Sequence, residues 1–316
     1  MKIDTILIAT PMHEHMKLLI EEQQALEHYS LLFRHPGDVT EKDVNQADAL
    51  VAFTRPGNVD ISSFKWVHSL GAGVDKLMNG TSWPKEVLLT RTITSFGEKI
   101  SEYFLSYLLR QTQKHREFIH LQEKKEWDFI PPDPLNTRHA VIYGTGEIGS
   151  KVAETCDFFG MTVTGVSRSG EGKVPFMNVL KPDKSDPDWK KYMQSAHLII
   201  NTMPLTKETR HYFDASFFEA CHDVLFINVG RGESVVDEAL LEALEAGQVK
   251  EGVLDVFSEE PLPQNHPFWT HPGIHVTPHI SAITTAEEGL ACFLDTVERL
   301  ENGKSLPNEA DTEQGY

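Results

Sequence analysis

Cysteine is scarce in this 316-residue chain: Cys156, Cys221 and Cys292 are the only three, scattered and outside any CxxC spacing. That excludes a disulfide framework and a Cys-based metal site, and it reads as reduced apolar filler in a cytoplasmic protein. Cationic charge is also in deficit, with 29 Lys and Arg against 47 Asp and Glu, a formal net charge of −18. A sequence-independent nucleic-acid binder needs a cationic stripe, and an anionic membrane surface repels such a chain. No apolar run approaches the ~20 residues that cross a bilayer. The start, Met1-Lys2-Ile3-Asp4, passes straight into an apolar strand without a signal-peptide pattern. Internal repeats and low-complexity tracts are missing too. The expectation is a cytoplasmic globular protein, in keeping with 40% hydrophobic and 24% charged residues. At ~100–200 residues per domain, the length suggests two domains.

What the chain does have is a recurrence of short β-rich apolar runs separated by longer helical patterns. The first third holds Ile3–Ala9, Tyr29–Phe33, Ala49–Phe53, Trp66–Leu70 and Val87–Thr92. A second series holds Ala140–Tyr143, Thr162–Val166, His197–Asn201, Val224–Val229, Gly252–Val256 and His275–Thr277. Runs mostly without polar alternation suit strands buried on both faces of a parallel sheet, so the pattern predicts an α/β fold with two sheets. Two long helices mark the joins. The first opens on a capping box, Ser95 with Glu98, and carries Ile100, Tyr103, Phe104, Tyr107 and Leu108 at helical spacing. A charged stretch and the breaker Pro131-Pro132-Asp133-Pro134 follow it. The second runs from about Thr284, with Glu287 three residues on, to a C-cap at Asn302-Gly303. Asp183–Asp188, between Pro182 and Pro187, reads as a surface loop.

The strand Ala140–Tyr143 leads into Gly144-Thr145-Gly146-Glu147-Ile148-Gly149, and the helical pattern Lys151–Phe159 ends at Gly160 before the next strand. A lone GxGxxG is weak, but this one sits between a strand and a helix at βαβ spacing. Gly144 allows the tight turn, Gly146 lets a pyrophosphate approach the backbone, and Gly149 lets helix and strand pack closely. The helix N-terminus then offers free N–H groups to the phosphates. The end of the next strand selects the dinucleotide. An Asp or Glu there would accept from the ribose 2′-OH of NAD. Here the sequence is Ser167-Arg168-Ser169-Gly170, with no carboxylate. Arg168 suits a 2′-phosphate, with Ser167 and Ser169 as hydrogen-bond donors, so the expectation is NADP(H) over NAD(H).

Three more segments stand at predicted strand ends, where ligands bind in open α/β sheets. They are Gly230-Arg231-Gly232, Ser258-Glu259-Glu260-Pro261 and Pro278-His279-Ile280-Ser281. An Arg, a carboxylate and a His beside a nicotinamide are the parts that carbonyl reduction needs. The Arg binds and polarises an oxo acid, the His donates the proton, and the carboxylate keeps the His charged and oriented.

With these pieces in place, the chain resembles the D-isomer-specific 2-hydroxyacid dehydrogenases over nearly its whole length. The matching motifs are Gly71-Ala72-Gly73-Val74-Asp75, the GTGEIG turn, NTMPLT at Asn201–Thr206, NVGRG at Asn228–Gly232, LDVFSEEP at Leu254–Pro261 and TPHISA at Thr277–Ala282. The resemblance implies that backbone N–H groups at Ala72, Gly73 and Val74 hold the substrate carboxylate, as a Gly-rich anion nest would. It implies that Arg231 contacts carboxylate and carbonyl, that His279 is the general acid/base, and that Glu260 is its partner. Glu259 also offers a carboxylate; the family pattern favours the residue directly before Pro261. Asp255 would bond the nicotinamide carboxamide, and Met203, Pro204, Val229 and Gly230 would line the cofactor. The implied architecture is α/β, two doubly wound parallel-sheet domains with a Rossmann cofactor domain, 99–280, inserted into a flavodoxin-like substrate domain, 1–98 plus 281–316. The active site would lie in the cleft between them, with hinge closure on cofactor binding. A homodimer through the cofactor domain is implied as well. The implied activity is NADPH-dependent reduction of a small 2-oxo acid, glyoxylate or hydroxypyruvate by default.

Alternatives come from different classes. A non-catalytic dinucleotide-sensing regulator has no need of Arg231, Glu260 and His279. Formate oxidation is disfavoured because that branch carries Gln where Glu260 stands. An NAD-linked phosphoglycerate dehydrogenase-like enzyme is disfavoured by the short tail Pro307–Tyr316, which leaves no room for an appended regulatory domain. His266, His271, His275 and His279 invite a metal reading, but their spacings of 5, 4 and 4 cross a Pro-broken loop and match no HExxH helix, so no metal is expected. His13 and His15 suit a solvated first helical turn after Pro11. Phe268 and Trp269 suit either the core or a pocket wall.

Overall fold

The apolar runs become strands closed to solvent on both faces. In the computed structural model, which describes residues 2–78 and 81–315, the chain divides into two units, Met1–Thr94 with Thr284–Tyr316, and Ser95–Ile283. The sequence places those divisions at 98/99 and 280/281. Met1, where the reading of the N-terminus begins, lies outside the described residues.

The first unit holds β1 (Thr5–Ala9), β2 (Ser30–Arg34), β3 (Ala49–Ala52), β4 (Trp66–Ser69) and β5 (Leu88–Arg91), all paired in parallel in the order β2-β1-β3-β4-β5. That is the flavodoxin-like doubly wound order. Ile6, Leu7, Ile8, Leu50 and Val51 are fully buried, as the unbroken apolar runs require. The helix Ala286–Glu301 returns to this sheet and stacks Phe293 on Trp66, ring centroids 5.2 Å apart. Its capping box is Thr285 with Glu288, one residue beyond the predicted Thr284 and Glu287. Thr284 is itself buried and does not cap. The tail covers the β5 edge: Arg91 N donates to Asn308 O at 2.9 Å and Ala310 N to Leu89 O at 2.9 Å.

The second unit holds β6 (His139–Tyr143), β7 (Thr162–Val166), β8 (Asn178–Leu180), β9 (Leu198–Asn201), β10 (Val224–Asn228), β11 (Val249–Leu254) and β12 (Ile274–Val276). All are parallel, in the order β12-β11-β10-β9-β6-β7-β8. Its first six strands therefore take the Rossmann order 3-2-1-4-5-6, with the reversal between β6 and β9. The fold class is thus two doubly wound α/β sheets. β8 escapes the sequence reading because it is a three-residue edge strand without a buried run. The start of β11 escapes it because Lys250 and Glu251 interrupt the apolar pattern. Two helices also differ. The charged stretch after the first long helix is a second helix, His115–Lys124, with no buried residue to mark its periodicity. The loop expected to run to Asp188 ends earlier, where Asp186 caps the helix Pro187–Ser195. Ser95 stands at the N-cap of the helix Phe96–Thr112 but accepts no side-chain capping bond, so the predicted box is not formed.

An aromatic cluster of Tyr143, Trp189, Phe213, Phe217, Phe218 and Phe226 fills one face of the second sheet. Cys221 is buried in this cluster and Cys156 in a separate one with Val152 and Met161, both as free thiols, and burial pushes each thiol up to about 12. Neither is reactive at neutral pH. Among the described residues no helix is long and apolar enough to cross a membrane.

Candidate active site

The predicted residues of the second unit's site stand beyond the carboxyl ends of strands, in loops or, for Glu147 and Ile148, in the first turn of the helix that follows. The nucleotide turn follows β6, beside the point where strand order reverses. Gly144 has φ +95°, in the region L side chains avoid. A Cβ on Gly149 would lie 1.8 Å from Gly144 O, so only glycine lets helix and turn close together. A Cβ on Gly146 would meet nothing within 4 Å, which leaves the face of the turn open. Gly146 is the N-cap of the helix Glu147–Phe158 and provides no side-chain cap, so the first-turn N–H groups of Glu147, Ile148 and Gly149 keep their capacity for an anion. Thr145 adds its backbone carbonyl, which accepts from Lys173 Nζ at 2.9 Å. Lys173 is a cation at this turn that sequence reasoning passed over, since nothing in a polar loop signals where its ammonium lands.

At the end of β7, Ser167 Oγ accepts from Gly170 N and Ser169 Oγ accepts from Glu171 N, both at 3.2 Å. Each hydroxyl therefore retains a proton to donate. Arg168 stands between them in the chain and is exposed. The residues present fit a dinucleotide bearing an extra phosphate.

The loops after β9, β10 and β11 are locked together by buried amides and two close approaches. Asn201 Nδ2 donates to Asn228 Oδ1 and to Ser234 Oγ, each at 2.9 Å. Asn201 Oδ1 accepts from Met203 N at 3.0 Å, which sets the turn carrying Met203 and Pro204. Asn228 Oδ1 accepts from Gly230 N at 3.2 Å, and Arg231 O accepts from Asn228 Nδ2 at 3.0 Å and Ser234 Oγ at 2.6 Å. A Cβ on Gly230 would lie 2.7 Å from Met203 O, and one on Gly232 would lie 1.9 Å from the Phe257 carbonyl carbon. Val229 and Gly230 are thus pressed beside the Met203 loop, and the backbone on either side of Arg231 is fixed. Asn201, Asn228 and Ser234 are positioning groups the sequence reading did not single out. The signal was present: an Asn closing an apolar strand is buried and needs partners.

His279 follows β12. Its Nδ1 lies 3.0 and 3.1 Å from the two Glu260 oxygens. A carboxylate accepts only, so Nδ1 carries the proton of that contact and Nε2 is left to exchange one with a ligand. Glu260, not Glu259, makes this contact, and its Oε1 also accepts from Phe257 N at 3.2 Å. The two side chains are 42% and 24% exposed, accessible yet not solvated throughout. His279 has φ +55°, uncommon for a residue with a side chain and a feature that concentrates at functional sites. Asp255, fully buried, holds the loop: its carboxylate accepts from Ile280 N and Ser281 N, each at 2.8 Å.

The other three histidines near His279 in the sequence make separate contacts. His266 caps a short 3-10 turn and pairs with Asp237, His275 pairs with Glu251 at 3.1 Å, and His271 Nδ1 accepts from Gly273 N. Phe268 is core, whereas Trp269 is half-exposed and donates to Pro263 O at 2.9 Å. In the first unit, Ala72, Gly73 and Val74 form the turn after β4. Ser69 Oγ donates within it to Gly71 O and Gly73 O, and Arg91 Nη1 to Ala72 O. Neither Gly71 nor Gly73 has positive φ. No acceptor among the described residues takes the N–H groups of Ala72, Gly73 or Val74.

Residues 105–281 match the sequence pattern of the D-isomer specific 2-hydroxyacid dehydrogenase NAD binding domain. Glyoxylate/hydroxypyruvate reductase A of Serratia proteamaculans is 33% identical over 259 residues, 80% of this chain and 82% of that protein. A D-isomer specific 2-hydroxyacid dehydrogenase family protein from Aeromonas salmonicida shares the fold with a TM-score of 0.85 at 32% identity, over 98% of this chain and 99% of that one. The NADPH-dependent glyoxylate/hydroxypyruvate reductase of Sinorhizobium meliloti, solved with NADP and sulfate, gives 0.81 at 25% identity, over 99% and 100%. On that match and those identities, the chain belongs to the D-isomer specific 2-hydroxyacid dehydrogenase family and is an NAD(P)-dependent enzyme of that class.

Proposed function

We propose that this protein is an NADPH-preferring reductase of small 2-oxo acids, of the glyoxylate and hydroxypyruvate class, yielding the D-2-hydroxy acid. The observation that carries the reading is the His279–Glu260 pair, which commits Nδ1 to a carboxylate and leaves Nε2 for a substrate oxygen. The chemistry that the nicotinamide supplies when bound is hydride transfer to the oxo carbon. The chain's own residues do the rest. The Gly144–Gly149 turn and the helix end behind it bind the pyrophosphate, and Arg168 with Ser167 and Ser169 takes the 2′-phosphate. Met203, Pro204, Val229, Gly230 and Asp255 line the cofactor. Arg231 holds the substrate carboxylate and polarises the oxo group, with the free N–H groups of Ala72, Gly73 and Val74 as a further carboxylate site. His279 gives the proton from Nε2, and the Glu260 carboxylate, accepting from Nδ1, orients the imidazole for that transfer.

In this reading the unit 95–283 is the cofactor domain and the unit completed by the last helix is the substrate domain. The protein acts as a cytoplasmic homodimer joined through the cofactor domain. Free cysteines suit a reducing compartment, and the exposed Trp127 and Phe129 offer an apolar surface for a second copy.

The test is NADPH and NADH oxidation across a panel from glyoxylate through hydroxypyruvate to phenylpyruvate. Turnover of the small acids with NADPH is expected, with kcat in His279→Ala reduced by ~10²–10⁴ while NADPH binding persists. Arg231→Ala raises KM for the oxo acid and lowers kcat together. Tight NADPH binding without turnover of any 2-oxo acid would instead identify a dinucleotide-sensing protein.

A further inference from the structure

The unusual backbone of His279 needs something to hold it, and the groups that do so lead to a residue on the unit's first long helix. Immediately around His279 the chain is gripped by Asp255. His279 N donates to Asp255 O at 2.9 Å, Ile280 N to Oδ1 at 2.8 Å and Ser281 N to Oδ2 at 2.8 Å. On the other side of His279, Thr277 Oγ1 donates to Asp255 Oδ1 at 2.6 Å. Thr277 Oγ1 in turn lies 2.6 Å from Tyr103 Oη.

Proton bookkeeping fixes the direction of this chain. Asp255 takes donors on both oxygens, so the Thr277 proton points at it, and the only proton left for the Tyr103–Thr277 contact is the phenol's. Burial, with the Asp255 carboxylate nearby, pushes Tyr103 above the ordinary phenol range, so the phenol keeps that proton. Tyr103 lies on the helix Phe96–Thr112, anchored by buried Ile100, Phe104 and Leu108. Its ring is also braced by Tyr107, 5.2 Å away between centroids, which in turn stands 5.6 Å from the His275 ring. A loop that carries a left-handed His thus ends in a hydroxyl tether to a helix whose Ile100, Phe104 and Leu108 are buried in the core.

We propose that Tyr103 is a positioning residue for His279, acting through the Thr277 hydroxyl and the Asp255 carboxylate. This rests on the reading of His279 as the general acid. Tyr103 touches none of the reacting atoms; it limits the directions in which the imidazole drifts, and misplacement by ~1 Å costs up to ~10²-fold in rate.

Tyr103→Phe keeps the ring and removes only the hydroxyl. The expected result, with rates normalised to NADPH-binding sites, is a fall in kcat of about tenfold, KM for NADPH and oxo acid within about twofold of wild type, and a larger solvent deuterium isotope effect on kcat as proton transfer becomes limiting. Thr277→Val breaks the same tether one link nearer, and Tyr103→Phe added to it is expected to lower kcat no further. An unchanged kcat in Tyr103→Phe overturns the proposal. So does a fall that disappears on normalisation to binding sites, or one that multiplies fully with Thr277→Val. His279→Ala, assayed alongside, separates the two levels: if it leaves turnover intact, the general-acid reading fails on its own account.

Discussion

A single methyl group at Gly149 would stand 1.8 Å from the carbonyl oxygen of Gly144, and one at Gly232 would stand 1.9 Å from the backbone of Phe257. At these positions identity is dictated by neighbouring main chain, and both lie where a ligand-binding loop is folded hard against another element. Arg168 is the opposite case, exposed at the end of β7 and significant only for what it meets. If it pairs with a 2′-phosphate, Arg168→Ala raises KM for NADPH by about tenfold and leaves KM for NADH unchanged, since a charge-assisted hydrogen bond contributes ~1.5–3 kcal/mol before solvent screening. Parallel kinetics with both cofactors check this; equal changes in the two would remove Arg168 from cofactor choice. The glycines were legible by motif and spacing, and the expectation for Arg168 rests on the missing carboxylate. For Asn201 and Asn228 the sequence signals only that a buried Asn closing an apolar strand needs partners; which partners, and the part Ser234 takes, lie in bonds across three loops.

Among the elements, β4 and β5 are joined by a buried polar link that the apolar pattern concealed. Trp66 Nε1 donates to Thr90 Oγ1 at 2.9 Å, and the same oxygen lies 2.8 Å from His68 Nδ1. Thr92 Oγ1 donates to Ser69 O and lies 3.3 Å from His68 Nε2. The ring is fully buried beside Phe293, and burial lowers its pKa from 6.5 to about 3. As pH falls below about 6.5 the unfolded chain takes up this proton before the folded one does, so stability is lost with falling pH between about 6.5 and 3. The urea midpoint is therefore expected to drop between about pH 7 and pH 5, and to drop less in His68→Gln, where nothing at this site titrates. An identical pH slope in the two proteins would show that other groups set acid stability. Element type was read correctly wherever burial on both faces left an unbroken apolar run. It was missed where burial was partial: edge strand β8, the charged opening of β11, and the helix His115–Lys124 with no buried face.

For the whole molecule, a net charge of −18 sits with a proposed pair of anionic ligands. The resolution is local: Arg168, Lys173, Arg231 and one uncapped helix end supply positive potential where it is needed, and the surplus carboxylates serve solubility. The proposed homodimer is tested at this scale. Trp127 and Phe129 are almost wholly exposed, so replacing both with Ser is expected to shift the mass from two chains to one in light scattering. A wild-type monomer, or a variant that stays dimeric, would place the contact elsewhere or remove it. The sequence by itself determined two parallel sheets, the nucleotide turn between β6 and its helix, and an Arg, a carboxylate and a His at successive strand ends. These are local patterns of apolar periodicity, glycine spacing and residue chemistry, and they survive without knowledge of neighbours. Only the tertiary structure decided that Glu260 and not Glu259 meets His279, and that Asp255 grips both sides of the His279 loop. It alone ties that loop to Tyr103, because hydrogen bonds between residues 174 positions apart depend on how strands and helices pack, and no periodicity records that.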